Sequence, residues 1–332
     1  MRGSGTQTDP YLIDSPQDLQ DINLDSAHRS AWYILAKDLD MSGFGNFTPI
    51  GHNNGVVNDD SFSGDFDGRG HTISNLTINV ASGVKHWGVG LFGEVHDAGA
   101  GTTRRIRDVG LVNCSITASN PSDWNLFVGG LIGYTWAIVG TVIVERCFTT
   151  GTITVNGSAS NVMQVGGFGG YLNTIQILNC YSRASVGGTP GAGSKKFGGF
   201  AGQLYTDIIS YCYSTGVVNP ATGSINGFGG DATGNTITGC FWDTETSGVA
   251  TSEIGVGHTT AWMKLLANFT AAGYDFTTIW SIVSSQNNGY PLLLGFAAAT
   301  PGEGAGRFAV VQTRWHYWDA YGNERYIEGT LV

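Results

Sequence analysis

Three sets of side chains in this 332-residue chain have types and spacings that could do chemistry. Five cysteines, Cys114, Cys147, Cys180, Cys212 and Cys240, recur 33, 33, 32 and 28 residues apart. Thiols in series invite a redox or zinc reading, but a zinc site wants cysteines paired about two to four residues apart. No such pair occurs here. Asp65/Asp67 and Asp243/Glu245 are acidic pairs at spacing two. Glycoside hydrolysis needs two carboxyl groups roughly 5–10 Å apart. Asp67 precedes Gly68, however, and Asp243 opens the string Asp-Thr-Glu-Thr-Ser-Gly, so turn chemistry accounts for both pairs. Trp87 and Trp124 lie in variable stretches, and Trp136 follows closely. Indoles in rows can hold sugar rings or a protein partner; the alternative is that they cover wide early repeats.

Other site signatures are missing. There is no GxSxG, no HExxH and no GK[ST], and the seven histidines stand at no ligand spacing. No catalytic, cofactor-binding or metal-binding residue is assigned, and an enzyme is not expected.

The elements that must carry these residues form a repeat. A glycine-rich strand recurs as VGLFGEV (89–95), VGGLIGYT (128–135), VGGFGGYL (165–172), FGGFAGQL (197–204) and FGGDATG (228–234), each followed by a cysteine strand. A period near 33 signals stacked repeats. From the second glycine to the cysteine the gaps are 24, 17, 13, 13 and 10 residues, so the strands stay constant while early connections carry insertions. Equivalent positions then stack about 4.8 Å apart. The five cysteines are expected as one inward ladder of free thiols, whose parallel side chains cannot reach each other for disulfides. The paired glycines serve either sharp turning or close approach of neighbouring repeats.

The ends read differently. Ser15 is an N-cap with Pro16 at the first helical position and Leu19 and Ile22 as its apolar side. A second short helix is expected near Ala261–Ala267, capped by Thr260. Both are candidates for covering the open ends that a stacked array must protect. After the linker 300–306, residues 307–332 read as a hairpin turning at Tyr321-Gly322-Asn323, dense in Trp315, Tyr317, Trp318, Tyr321 and Tyr326. A lone hairpin is marginal in water, so it is expected to dock on the repeats or on another chain, whether a second copy or other proteins of the particle or surface that carries it. The segments are therefore 1–60 N-terminal cap and first coil, 61–245 repeats, 246–299 C-terminal cap, 300–306 linker and 307–332 hairpin.

Composition narrows the partners. A net charge of −10 disfavours nucleic acid and anionic membrane, and Arg104, Arg105 and Arg107 read as a solvated turn. No run of 18 apolar residues exists for a membrane span. MRGSGTQTDPYLID has no apolar core of a signal peptide.

The blocks DPYLIDSPQDLQDIN, YILAKDLDMSG, FSGDFDGRGHTISNLTI, the GLFG and GGLIG strands, and CFWDTETSG through TTAWMKL to NNGYPLL resemble the GLUG-motif repeat proteins. Those occur in bacterial surface adhesins, beside IgA-cleaving peptidases and in phage virion proteins. The resemblance covers roughly residues 6–295. It implies an all-β fold, a right-handed parallel β-helix (β-solenoid) with short capping helices, here followed by a C-terminal hairpin. It also implies display or adhesion without catalysis. The expected role is a virion component (fibre, spike or decoration), located on the virion, that meets a cell-surface glycan or protein receptor. The alternatives are a fragment of a secreted adhesin at the bacterial surface and a tailspike-like carbohydrate-active enzyme.

Overall fold

A computed structural model describes residues 1–51, 60–80, 88–97, 99–120, 125–136, 140–157, 162–191, 193–230 and 232–296, and the backbone of 314–318 and 324–328. The chain separates into two units, Met1–Ala297 and Ala298–Val332. In the second, Arg314–Trp318 and Glu324–Glu328 pair antiparallel. The side chains of Trp315, Tyr317, Trp318 and Tyr326, all of Tyr321, and Trp87 and Trp124 lie outside the described residues.

The first unit is all-β and dominated by parallel pairing, in one large sheet and two five-stranded sheets. The chain visits the three sheets in the same order at each repeat. Met163–Gly166, Gly169–Asn173, Ile175–Leu178, Tyr181–Ser182 and Ser185–Thr189 make one pass. The next pass lies beside it in register, with Met163 opposite Lys195, Gly169 opposite Ala201, Gln176 opposite Ile208, Tyr181 opposite Tyr213 and Val186 opposite Val218. Each rung buries one apolar set inward, so the core is a column continuous from Ile13 to Val249.

Corners repeat with the strands. Asp108, Arg146, Asn179, Tyr211 and Gly239 all hold left-handed φ between 51° and 59°. A residue with a Cβ pays about 1–2 kcal/mol for that conformation, so the position is set by the stack rather than by residue preference. Thr174, Thr206 and Gly234 form a second left-handed column. The second glycines of the repeat use close approach instead. Gly130, Gly167 and Gly199 are not left-handed, and a Cβ there would overlap the carbonyl of Gly167, Gly199 and Gly227 respectively.

The cysteine ladder has four rungs, not five. Phe148, Tyr181, Tyr213 and Phe241 are in register, which stacks Cys147, Cys180, Cys212 and Cys240 directly before them. The Cys147 N–H donates to Cys180 Sγ at 3.4 Å, and the Cys180 N–H to Cys212 Sγ at 3.4 Å. Cys114 instead faces Gly151, because Phe148 stands opposite Gly110 and Val109 fills the equivalent rung. The long early strand Thr103–Asn120 carries its cysteine further along than later passes do. All five thiols are free and buried. Burial pushes the Cys114 thiol up to about 12 and holds those of Cys147, Cys180 and Cys212 well above the usual thiol range. Native protein at pH 8 is therefore expected to take up no iodoacetamide, and unfolded, unreduced protein five equivalents by mass. Uptake by the native protein, or fewer than five after unfolding, would count against this packing.

Of the two helices expected, the first is present and the second is divided, while Ser26–Arg29 and Thr244–Ser247 had no reading in the sequence. Ser15 caps Pro16–Gln20 by accepting from the Asp18 N–H at 3.2 Å, and Leu19 and Ile22 are buried. Asp25 caps a further turn, Ser26–Arg29. The helix expected over Ala261–Ala267 is two turns, Thr260–Met263 and Leu266–Ala271, with Thr259 as the first cap. Leu265 and Leu266 are exposed, while Met263 and Phe269 are buried.

Residues 246–296 do not simply cover an end. Val256–His258 extends the last rung beside Phe241–Asp243. The segment after it runs back along the flank. Met263, Phe269, Tyr274, Trp280, Tyr290 and Leu293 bury the outward column Phe148–Tyr181–Tyr213–Phe241 as a second core. Phe296 reaches Phe148, with ring centroids 5.0 Å apart.

Asp207 replaces an apolar residue in a buried column, following Ile175 in register and preceding Asn235. It is 1% exposed and accepts from the Ile175 and Tyr205 N–H groups at 2.9 and 3.0 Å. Burial outweighs these bonds and pushes its carboxyl up to about 8. A pKa raised on folding contributes stability that is whole below the unfolded value near 4 and disappears as pH climbs through 8. About one proton separates the two states in between, so unfolding free energy is expected to fall by about 1.4 kcal/mol between pH 6 and pH 7. His96 and His258, both lowered by burial, act in the opposite sense near pH 6. The measurement is therefore the difference in urea midpoints between wild type and Asp207→Asn across pH 5–8.5; parallel profiles would contradict the assignment.

Candidate aromatic groove and carboxylate sites

Where the two smaller sheets meet, outward side chains from both face one another. Phe127 comes from Leu126–Val128, Tyr134 and Trp136 from Ile132–Trp136, and Tyr171 from Gly169–Asn173. Alternation along each strand sends Val128, Thr135 and Leu172 inward and these aromatics to the other side, where Phe127 and Tyr134 are buried by their neighbours and Trp136 is exposed. Phe127 and Tyr134 stack at 5.1 Å, Phe127 and Tyr171 lie 5.3 Å apart, and Tyr134 and Tyr171 5.5 Å. Trp136 stands at the rim, 48% exposed. With Asn125 and Gln164 these rings line a groove of about 360 Å³.

The groove continues along the stack because its residues are in register. Glu94, Tyr134, Tyr171 and Gln203 form one column, and His96 pairs with Trp136 as Asn173 pairs with Tyr205. Gln164 donates to Gln203 across neighbouring passes. Tyr205 is 42% exposed. At the near end the His96 ring meets Tyr134 edge-on at 6.2 Å, and its Nε2 lies 3.8 Å from buried Glu94. Burial lowers His96, which keeps the imidazole neutral at pH 7. Tyr134 is raised by burial first, then by Tyr171 and Glu94, so its phenol stays protonated. The groove thus offers the rim indole of Trp136 and the half-buried Tyr171 ring, with Phe127 and Tyr134 packed beneath them at 6% exposure each.

Of the three indoles read from sequence, Trp136 is therefore placed in a groove, while its partners here, Phe127, Tyr134 and Tyr171, were missed. A signal existed: the fourth residue after each second glycine is Glu94, Tyr134, Tyr171 and Gln203, and the sixth is His96, Trp136, Asn173 and Tyr205.

Both acidic pairs are engaged in structure. Asp243 is fully buried and caps Thr244–Ser247, accepting from the Glu245 and Thr246 N–H groups at 2.9 and 3.0 Å. Its other oxygen accepts from the hydroxyls of Thr260 at 2.7 Å and Tyr290 at 2.6 Å. Glu245 accepts from the Thr260 N–H at 2.9 Å. Asp65 takes Arg104 at 3.0 Å and the Arg105 N–H at 3.1 Å; Asp67 takes Arg107 at 2.9 Å. Burial raises Asp65 despite Arg104. The three arginines, read as a solvated turn, belong to the strand Thr103–Asn120. Asp67-Gly68, read as a tight turn, lies inside the strand Asp65–Ser74. Among the described residues no group of three or more His, Cys, Asp or Glu side chains could hold a metal ion.

No family model matches the chain. Over 193 residues, 55% of this chain, it is 35% identical to halomucin of Haloquadratum walsbyi (strain DSM 16790 / HBSQ001), of whose length the match spans 2%. Its fold is similar to the crystal structure of a candidate immunoglobulin A1 protease from Bacteroides ovatus, with TM-score 0.56 at 19% identity. That similarity covers 88% of this chain and 94% of the other, and at this identity it bears on fold alone. No helix among the described residues is long and apolar enough to cross a membrane.

Proposed function

We propose that this chain is a non-enzymatic adhesive and structural module, a right-handed parallel β-helix of the GLUG-repeat kind whose aromatic groove holds a glycan. The observation that carries this reading is the groove of Phe127, Tyr134, Trp136 and Tyr171, in which Tyr134 and Tyr171 are register partners and Trp136 stands exposed at the rim. Sugar rings present apolar C–H faces to aromatic planes and hydroxyls to amides and phenols. A stack of rigid passes supplies such a surface preformed, so little ordering cost is left at binding. The acidic pairs support the same reading, since both serve caps and ion pairs.

The first setting for the module is a virion fibre, spike or decoration mounted through residues 307–332. A second setting, a surface protein built from many modules, is favoured by the halomucin match, which occupies a very small share of a long chain. Removing residues 307–332 separates mounting from folding: virions or cells should lose the module while the truncated protein keeps its melting temperature.

Trp136→Ala tests the groove. The indole is half exposed, so its loss should move the melting temperature by no more than about 2 °C. Affinity for whichever neutral polysaccharide the wild type retains should drop roughly tenfold, about 1.4 kcal/mol. Unchanged affinity would remove the groove from the account.

A further inference from the structure

A second concave site lies on the outer face of the large sheet, and its chemistry differs from that of the aromatic groove. Trp32, Asp65 and Arg105 lie in one cross-strand column, and Ile34, Asp67 and Arg107 in the next. Together with Arg69 and Gln7 they line a cleft of about 480 Å³. Two of its guanidinium groups are held in place from the side: Arg107 Nη2 by Asp67 at 2.9 Å and Arg105 Nη1 by Glu145 at 3.4 Å. An arginine has five N–H donors, so each of these contacts leaves donors for a ligand while fixing the fork.

Arg69 is placed by a distortion that neighbouring passes lack. Asp67 and His71 stand opposite Arg107 and Val109, so Gly68, Arg69 and Gly70 together face Asp108. Bulges of this kind re-aim a side chain. Arg69 holds φ 51° and Gly70 φ 80°. The Arg69 N–H is fixed by Asp67 Oδ1 at 2.9 Å, and Gly70 sits so close to the Gly295 carbonyl that a Cβ would fall 2.7 Å from it. The bulge is thus clamped from both sides and presents an exposed guanidinium at the cleft. No partner of that guanidinium occurs among the described residues.

We infer that this cleft binds an acidic sugar residue, a pyranose bearing a carboxylate or a sulfate ester. The anion lies on the guanidinium groups of Arg69, Arg105 and Arg107, the apolar ring face on Trp32, and the hydroxyls on Gln7 and the free lone pairs of Asp65 and Asp67. Arginine forks match carboxylate and sulfate geometry in a way that lysine does not, and the indole wall selects a ring-bearing anion over a bare ion. The cleft stands apart from the aromatic groove and does not depend on it.

The test uses the full chain and three probes: tetragalacturonate, its methyl ester, and a sulfated neutral tetrasaccharide. Either acidic probe is expected to bind at least tenfold more tightly than the ester, with affinity falling as salt rises, and the tighter of the two identifies the anion. Arg69→Gly keeps the left-handed backbone and removes the guanidinium, so it should fold normally and weaken acidic-probe binding at least fivefold. Trp32→Phe should weaken it less, and Trp136→Ala should leave it unchanged. Equal binding of acid and ester, wild-type affinity in Arg69→Gly, or loss of acidic-probe binding in Trp136→Ala would each overturn the inference.

Discussion

Phe200→Ala is expected to lower unfolding free energy by about 3–5 kcal/mol, read from the urea midpoint at constant m-value. Phe200 is fully buried in the stack Phe168–Phe200–Phe228, with centroids 4.6 and 4.8 Å apart and planes within 9°. Truncation opens a cavity between two passes that cannot close, because the backbones on either side are locked by ladder bonds. It also removes two ring contacts worth roughly 0.5–1.5 kcal/mol each. In a stack where each pass touches only its neighbours, the damage should be shared by the flanking passes. Hydrogen exchange is therefore expected to accelerate from about residue 163 to 242 and to leave Tyr11–Leu35 protected. A cost under 1 kcal/mol, or uniform acceleration along the chain, would count against independent stacked passes.

Asp243→Ala is the second large effect, with an expected loss of roughly 3 kcal/mol or more. The carboxylate accepts four bonds, from two backbone N–H groups of the turn it caps and from the hydroxyls of Thr260 and Tyr290. Losing a cap costs about 1 kcal/mol, and a buried donor left without an acceptor costs about 1–3 kcal/mol. Burial, and then Asp243 itself, push the Tyr290 phenol up to about 12, so the hydroxyl stays a donor at every working pH. Because Tyr290 belongs to the flanking segment that covers Phe148–Phe241, its release should expose that column and raise dye binding. Asp243→Asn keeps one acceptor oxygen and should cost about half as much. A catalytic Asp243 would behave otherwise: both variants would fold with wild-type stability and differ from wild type in turnover alone.

The repeat itself was legible because its signals are local. The apolar strands and Ser15-Pro16 act through near neighbours, and the double glycines show as a local pair even though their contact is with the next pass. What was not legible depends on register between passes. Cys114 keeps the spacing of 33 residues to Cys147, yet an early strand of different length moves it opposite Gly151. The partners of Asp65 and Asp67 are 39 and 40 residues away on the next pass, so three arginines that looked like a solvated turn are ion-pair partners. The flanking segment reads as an end cover because the glycine–cysteine rhythm stops before it and a stacked array must protect its open ends. Its place follows from the outward aromatic beside each cysteine, Phe148, Tyr181, Tyr213 and Phe241, which needed a cover of its own. The groove is half legible: Trp136 stands out with the other early indoles, whereas Tyr134 and Tyr171 sit inside the glycine-rich strands.

The central claim is that this chain holds a polysaccharide without altering it. The direct measurement is to incubate the purified full chain with a panel of neutral and acidic polysaccharides, then read retention and newly formed reducing ends from the same samples. The account expects retention of at least one polysaccharide, weakened by Trp136→Ala or Arg69→Gly according to its charge, with no reducing ends above the protein-free control. Reducing ends that accumulate with time and vanish in an Asp65→Asn, Asp67→Asn or Asp243→Asn variant of unchanged stability would contradict it.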